Sequence, residues 1–426
     1  MKKGDQLYNQ YLAILREELR PAMGCTEPIA MAYAAAKARA TLGAIPDKIR
    51  LWVSGNIIKN VKSVVVPNTG GLHGMAAALC AGIIGGDADK ELQVIAEVPE
   101  EKHAEIKAYM QSVDLEIQPS YSELVFDIDL FVYHGEDMVR LRIANHHTNI
   151  VLIQKNNETI LELPVSESSE ENLTDKSCLT IEQIVEFADC LDVEDVRDTV
   201  GVQIEKNMEI AAEGLKHSWG ANIGSVILRR QVGGVEKIAA AWAAAGSDAR
   251  MSGCEKPVII CSGSGNQGIT ASVPVVIYAQ AMGASREQLY RALLVSNLVT
   301  LHLKTGIGPL SAYCGAISAG CGAAAGITYL YGGRFKEIAH TVVNAIAINS
   351  GVICDGAKAS CAAKIASAVE AGILGMEMYR QGSQFLGGDG IVSKGVENTI
   401  RNVGQLASQG MRKTDTEIIK IMLTQM

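Results

Sequence analysis

The chain has 426 residues, a formal net charge of -9, 48% hydrophobic and 5% aromatic residues, 42 glycines and 10 cysteines. That length exceeds one ordinary core and points to two domains, packed by Ala, Gly, Val and Ile more than by rings. Basic residues scattered under a net negative charge argue against a nucleic-acid surface and leave a small molecule as the expected partner.

The N-terminus runs from Met1 into Gly4, Asp5 and Gln6 without the apolar stretch of an export signal, so the expected location is the cytoplasm, where thiols stay reduced. Leu7, Tyr8, Tyr11, Leu12, Leu15 and Leu19 share one helical face that stops at Pro21, and a second helix is expected from about Glu27 to Leu42. Strands are expected at Ile49 to Val53, Ile57 to Val66 and Val94 to Val98, with helices at Gly71 to Ile84 and Pro99 to Ser112. Alternation then predicts antiparallel strands at Leu124 to Tyr133, Met138 to Ala144, Ile150 to Gln154 and Ile160 to Leu163, the last two joined through Asn156-Asn157. The polar, acidic segment Pro164 to Lys176 reads as a linker. Beyond it helical patterns dominate: Ile181 to Cys190, Val193 to Leu215, Gly234 to Ala245, Arg286 to Leu303, Ala316 to Tyr331, Ile338 to Ser350, Ala357 to Ala371 and Asn398 to Met411. The expected class is α+β: an α+β domain over residues 1–165, then a mainly helical domain over 178–426 with buried Gly/Ala-rich helices.

Three stretches carry no charge: Pro257 to Ser285, Thr305 to Gly333 and, with His340 neutral, Ile338 to Cys354. They contain Ser262, Ser264, Asn266, Gln267 and Pro274, or Pro309, Ser311 and Ser318, and lack the aromatic belts and basic flanks of membrane spans. Helices internal to a large domain are therefore expected rather than a membrane partner.

Cys254 and Cys261, Cys314 and Cys321, and Cys354 and Cys361 are spaced seven apart, while Cys25 stands alone in Gly24-Cys25-Thr26-Glu27-Pro28. No pair has the two-to-four-residue spacing of structural zinc, whereas iron-sulfur ligands can come from distant segments. Seven residues along one helix rise about 10 Å, so of two cysteines serving one compact cluster, one must lie off the helix. Asp355-Gly356 supplies a turn that puts Cys354 upstream of a helix carrying Cys361 in its second turn, and Cys314 is likewise followed by glycine. Cys254 and Cys261 flank a buried strand and read as packing, as do Cys80, Cys178 and Cys190. Cys25 sits at a helix start with Thr26 as expected cap, a position that lowers a thiol pKa.

The set Gly24-Cys25-Thr26-Glu27-Pro28, Ser54-Gly55-Asn56-Ile57 with Lys59-Asn60, Val66-Pro67-Asn68-Thr69-Gly70, Ser262-Gly263-Ser264-Gly265-Asn266-Gln267-Gly268 and Cys354-Asp355-Gly356-Ala357-Lys358 resembles the L-cysteine desulfidase family, itself related to the alpha chain of iron-sulfur L-serine dehydratases. The resemblance runs in order along nearly the whole chain. It implies an oxygen-sensitive 4Fe-4S cluster on Cys314, Cys354 and Cys361, a catalytic thiol at Cys25, no pyridoxal phosphate, and cleavage of L-cysteine to hydrogen sulfide, ammonia and pyruvate. Cys321 is not among the implied ligands. Candidate substrate contacts are Asn56, Lys59, Asn68, Thr69, His73, Ser262, Ser264, Asn266 and Lys358, because glycine-rich loops, amides, hydroxyls and cations suit a carboxylate.

Rival readings remain. Ser264-Gly265-Asn266-Gln267-Gly268 also looks like the substrate loop of pyridoxal-phosphate lyases, but upstream only Lys237 is available for a Schiff base. A transporter with Gly-broken spans and a helical binding protein with packed thiols are the readings from other classes. Serine instead of cysteine as substrate, Cys25 as base or as acid, and self-association stay open from sequence.

Overall fold

The computed structural model describes residues 1–424 except 121, 123, 166–173, 309 and 310, so most of the expected linker and Pro309 lie outside the described residues. The first half runs α1 (Gln6–Glu18), β1 (Pro21–Ala22), α2 (Thr26–Leu42), β2 (Lys48–Val53), α3 (Gly55–Val61), α4 (Gly74–Gly85), α5 (Lys102–Ser112), β3 (Asp114–Pro119), β4 (Asp127–His134), β5 (Asp137–Ala144), β6 (Ile150–Lys155) and β7 (Glu158–Glu162). The second runs α6 (Ile181–Cys190), α7 (Val202–Lys216), α8 (Ile223–Leu228), α9 (Val235–Met251), β8 (Val258–Ile259), α10 (Gly265–Met282), α11 (Arg286–Thr305), α12 (Gly315–Leu330), α13 (Phe335–Asn349), α14 (Ser360–Arg380), α15 (Val396–Gln405) and α16 (Arg412–Leu423). The class is α+β, as expected.

Six strands form a mixed sheet in the order β3-β2-β4-β5-β6-β7, parallel only between β2 and β3. Alternation sends Ile128, Leu130 and Val132 of β4 and Val139, Leu141 and Ile143 of β5 into the core, where α2 covers them. Their neighbours on the outer face form two bidentate pairs, Arg140 with Asp129 and Arg142 with Asp127. A second, larger core holds the helical half and also takes in α1 through Tyr8, Tyr11 and Leu15. The opposite end of the chain crosses the other way. Leu423 of α16 packs against the sheet-side core, and Lys59 of α3 pairs with Asp415.

Several expectations fail for identifiable reasons. Ile57 to Val66 is not a strand but begins as helix α3, because Ile57, Ile58 and Val61 sit at helical spacing after an extended Ser54. Val94 to Val98 is no strand either. A 3-10 turn at Glu91–Gln93 leads into it, and Val94, Ile95 and Val98 plug the core as a loop. The expected Val193 to Leu215 helix is split by a 3-10 turn and a five-residue π-turn ending at Gly201. Strand β3 and helices α8 and α16 had no expectation; β3 buries little and α16 is charged along its first half. Helix α10 lies in the uncharged Pro257 to Ser285 stretch, where an internal helix was expected without bounds; it contains Pro274 and has no polar face. No helix of the described residues is long and apolar enough to cross a membrane.

Glycine sets how closely the helices approach. A Cβ on Gly82 of α4 would lie 2.1 Å from the Ala32 carbonyl oxygen of α2. Gly82→Ala should therefore force these helices apart and destabilise the protein by about 1–3 kcal/mol, read as a lower urea midpoint.

Candidate active site at the meeting of four helix starts

Cys25 is carried from one half of the molecule to the other by the backbone before it. Helix α1 is tied to the helical half by Tyr8 Oη donating to Asp195 and Tyr11 Oη to the Cys178 carbonyl. Strand β1 then pairs antiparallel with β8, Pro21 opposite Ile259 and Ala22 opposite Val258. Gly24 turns the chain at φ +60°, where a Cβ would strike Pro67 at 2.7 Å, and Cys25 follows as the N-cap of α2. The cap is thus Cys25, not Thr26, whose hydroxyl instead donates to Glu27.

The other thiols meet it from the helical half. Cys314 is the N-cap of α12 and Cys354 lies on the segment before α14. A backbone bridge between Tyr313 and Ile353 sets them side by side, with Cys354 N donating to Ala312 O at 2.6 Å and Cys314 N to Val352 O at 3.0 Å. Their thiols lie close enough to shift one another's pKa in opposite directions. Cys361 lies in the first turn of α14, not its second, and packs with Cys25, Val64 and Met251. The turn that allows this needs Gly356 at φ +93°, since a Cβ there would sit 1.9 Å from the Lys59 carbonyl oxygen.

Four helices consequently begin here: α2, α10, α12 and α14. Gln267 in the first turn of α10 lies against Gly315, the first residue of α12, so close that a Cβ on Gly315 would be 2.7 Å from it. Gly320 of α12 touches Ala368 of α14 with Gly372 one turn further on, which makes these two helices run in the same direction from the site. Their positive dipole ends and free N–H groups favour negative charge.

The charges agree. Lys59 is buried and pairs with Asp415 at 2.5 Å, and Lys358 and Lys364 both pair with Asp355 at 2.5 Å. Two buried cations have no carboxylate among the described residues. Lys304 of α11 donates to the Gly308 carbonyl at 2.7 Å, and burial lowers its pKa to about 8 although Cys354 and Cys314 oppose this. Arg250, in the last turn of α9, donates from Nη2 to Gly24 O at 2.7 Å and from Nη1 to Asn266 Oδ1 at 3.2 Å, and reaches the Cys25 thiol. Its Nε is buried without an acceptor.

The thiols respond unequally. Cys354 is pulled down, first by the neighbouring Cys314 thiol and then, against its own burial, by Lys59. Cys314 is pushed up by the same neighbour and by burial. Cys25 is pushed up to about 12 by burial, which outweighs Arg250, so the lowered pKa expected of a thiol at a helix start does not hold. Three cysteines with no histidine or carboxylate among them, flanked by Lys304, suit a 4Fe-4S cluster by donor chemistry and charge. Among the described residues no three His, Cys, Asp or Glu stand close enough to share one metal ion, but a cluster offers each thiolate a separate iron.

The remaining expected residues divide into two groups. Ser262 adopts φ +50° and Ser264 caps α10, which aligns Asn266 with Arg250. Asn56 opens α3 one turn before Lys59, its buried Oδ1 unpartnered, and Lys358 donates to the Asp355 and Gly356 carbonyls. By contrast, Asn68 is spent on the Ile95 and Ala96 carbonyls and Thr69 on Val66 O, within a loop whose Pro67 braces Gly24. His73 is exposed at the N-cap of α4. Arg250, Lys304 and Gln267 had no expectation; Arg250 shares its turn with Asp248 and Lys304 its turn with His302, so neither stands out in the sequence. Cys254, Cys261 and Cys321 are buried in the helical core, and His147 packs edge-on to Phe126. Lys237 lies at the far end of α9, about 20 Å from Arg250 at helical rise, and donates to Arg230 O. A shallow cavity of about 340 Å³ beside Trp52, Ser120, Ser122, Asp129 and Phe131 lies on the outer sheet face and contains none of this chemistry.

A helical half that gathers thiols at helix starts is joined here to an α+β half that presents one more. The chain belongs to the serine dehydratase alpha chain family, which it matches over residues 89–420. It is 58% identical over 425 residues to a UPF0597 protein of Desulfitobacterium hafniense (100% of this chain, 99% of the relative). It is also 48% identical over 422 residues to one of Treponema denticola (98% of each chain) and 46% identical over 417 residues to one of Lachnoclostridium phytofermentans (98% of this chain, 100% of the relative).

Asp415→Asn should leave Lys59 buried and unpaired at a cost of about 3 kcal/mol. The expected readout is faster amide hydrogen exchange along α16, with α12 unchanged.

Proposed function

We propose that this chain is an iron-sulfur-dependent lyase that eliminates hydrogen sulfide from L-cysteine. The observation that carries this reading is the convergence of Cys314, Cys354 and Cys361 with Cys25 at four helix starts rich in unpaired buried cation. Elimination breaks the α-C–H and β-C–S bonds, the α-proton replacing on balance the one delivered to the departing sulfur, and gives hydrogen sulfide and aminoacrylate. Aminoacrylate tautomerises to an imine, which water hydrolyses to pyruvate and ammonia.

Cys314, Cys354 and Cys361 would hold the 4Fe-4S cluster, which when bound supplies an open iron as Lewis acid toward the substrate. Lys304 balances thiolate charge there without a carboxylate of its own. Cys25 keeps its proton at neutral pH because burial raises it to about 12, which fits an acid that delivers a proton to the departing sulfur. Arg250 and Gly24 close the joint behind it. A second reading, L-serine with water as leaving group, is favoured by the family that the chain matches; it differs by one substrate atom and uses the same residues.

The test is anaerobic purification with iron and sulfide analysis, followed by sulfide, ammonia and pyruvate release from L-cysteine and L-serine. Cys314→Ala, Cys354→Ala and Cys361→Ala are each expected to lose most of the iron. Cys25→Ala should keep its iron and lose about 100-fold or more in kcat. Full activity in an iron-free Cys354→Ala protein would end the reading.

A further inference from the structure

We propose that the guanidinium of Arg250 receives the α-carboxylate of the substrate, an assignment that rests on the lyase reading above. Arg250 is 4% exposed, and no ion pair balances it among the described residues. Glu27, two residues past Cys25, does not serve: its carboxylate accepts from Asn60 Nδ2 and the Thr26 hydroxyl. A buried cation without a counter-charge is strongly disfavoured unless something else brings the anion. The group that must enter this site in any α-amino-acid lyase carries one.

The donor count allows it. Of the five N–H bonds of a guanidinium, Gly24 O and Asn266 Oδ1 take two, the Cys25 thiol lies beside the group, and Nε has no acceptor. The first turn of α10 is shaped around the group. A Cβ on Gly265 would lie 2.3 Å from Nε and 2.8 Å from Cζ, so only glycine admits the guanidinium here. Gln267, two residues on, leaves its own buried Oε1 unpartnered, an acceptor suited to the α-ammonium that accompanies an α-carboxylate. Because Arg250 also contacts Cys25, a carboxylate held on it brings the β-carbon of the same small molecule toward that thiol. Arg250 thus selects free α-amino acids against their amides.

The test is calorimetric titration of the anaerobically prepared enzyme with L-serine, L-cysteine and their carboxamides, in the wild type, R250K, R250Q and G265A. The wild type should bind the acids at least about 10-fold more tightly than the amides. R250Q should lose about 10- to 100-fold in affinity for the acids and little for the amides, with iron content and circular dichroism unchanged, and R250K should recover part of the loss. G265A keeps the charge but fills the guanidinium's place, so weaker acid binding there carries the test if R250Q fails to fold. Equal binding of acids and amides by the wild type, or wild-type acid affinity in R250Q with pyruvate still released, overturns the carboxylate role and leaves the lyase reading intact. Absence of turnover by the iron-loaded wild type overturns the lyase reading instead; Arg250-dependent binding of the acids would then still support the carboxylate role, and its absence would overturn that too.

Discussion

The site depends on one constraint: four helices from different parts of the chain must begin at the same point. Each start is held by a different device. The β1–β8 pairing delivers Cys25 to α2, and a bridge between Cys261 and Ser264 shapes the start of α10. The Tyr313–Ile353 bridge sets Cys314 at α12, and Gly356 folds against Lys59 ahead of α14. Each start contributes free N–H groups and the positive end of a dipole, which together make an anionic occupant favourable before any side chain is counted. Thiolates, a cluster bound to them and a carboxylate are all anions, so the backbone and the buried cations Lys304 and Arg250 favour the same chemistry.

Glycine and alanine make that convergence possible. Helix α12 is buried along nearly its whole length, and its glycines meet backbone on two sides: a Cβ on Gly320 would lie 2.5 Å from Ala368 O, and one on Gly322 would lie 2.4 Å from Ser296 O. Larger residues at these positions would hold the helix axes further apart and with them Cys314 and Cys361. The low aromatic content and the long uncharged stretches have the same origin: a helix surrounded by other helices needs no polar face. This also explains why such segments resemble membrane spans in composition, although no described helix is long and apolar enough to cross one.

Much of this was legible in the sequence, and the failures share a cause. Helices with one apolar face, such as α1 and α6, and strands with clean alternation, such as β4 and β5, were placed to within a few residues because period and burial coincide there. Helix α10 is expected only as an internal helix without bounds in Pro257 to Ser285, because burial on all sides erases its period, and α3 reads as a strand because a short β-branched run has the same composition as one. The turn at Asp355-Gly356 was readable as a break before Cys361. The raised pKa of Cys25 was not: a helix start argues for a lowered one, and only packing by Val64, Met251 and Cys361 shows that desolvation prevails. Arg250 was invisible for a related reason, since its importance lies in the lack of a counter-charge, and a sequence cannot show which acids fail to reach it.

The crossing of the chain ends bears on how the two halves work together. Helix α1 belongs to the helical core although it precedes the sheet, while α16 follows the helical half but docks on α3, with Ile419 against Gly55 and Lys62 donating to the Met422 carbonyl. A hinge between the halves would have to break the β1–β8 ladder at one crossing and expose the Lys59–Asp415 pair at the other. Breaking a pair whose lysine is buried leaves an uncompensated charge, an opening cost well above thermal energy. The apposition of Cys25 with Cys361 is therefore built into the folded chain, so the proposed lyase requires no closure of the two halves to bring these thiols together.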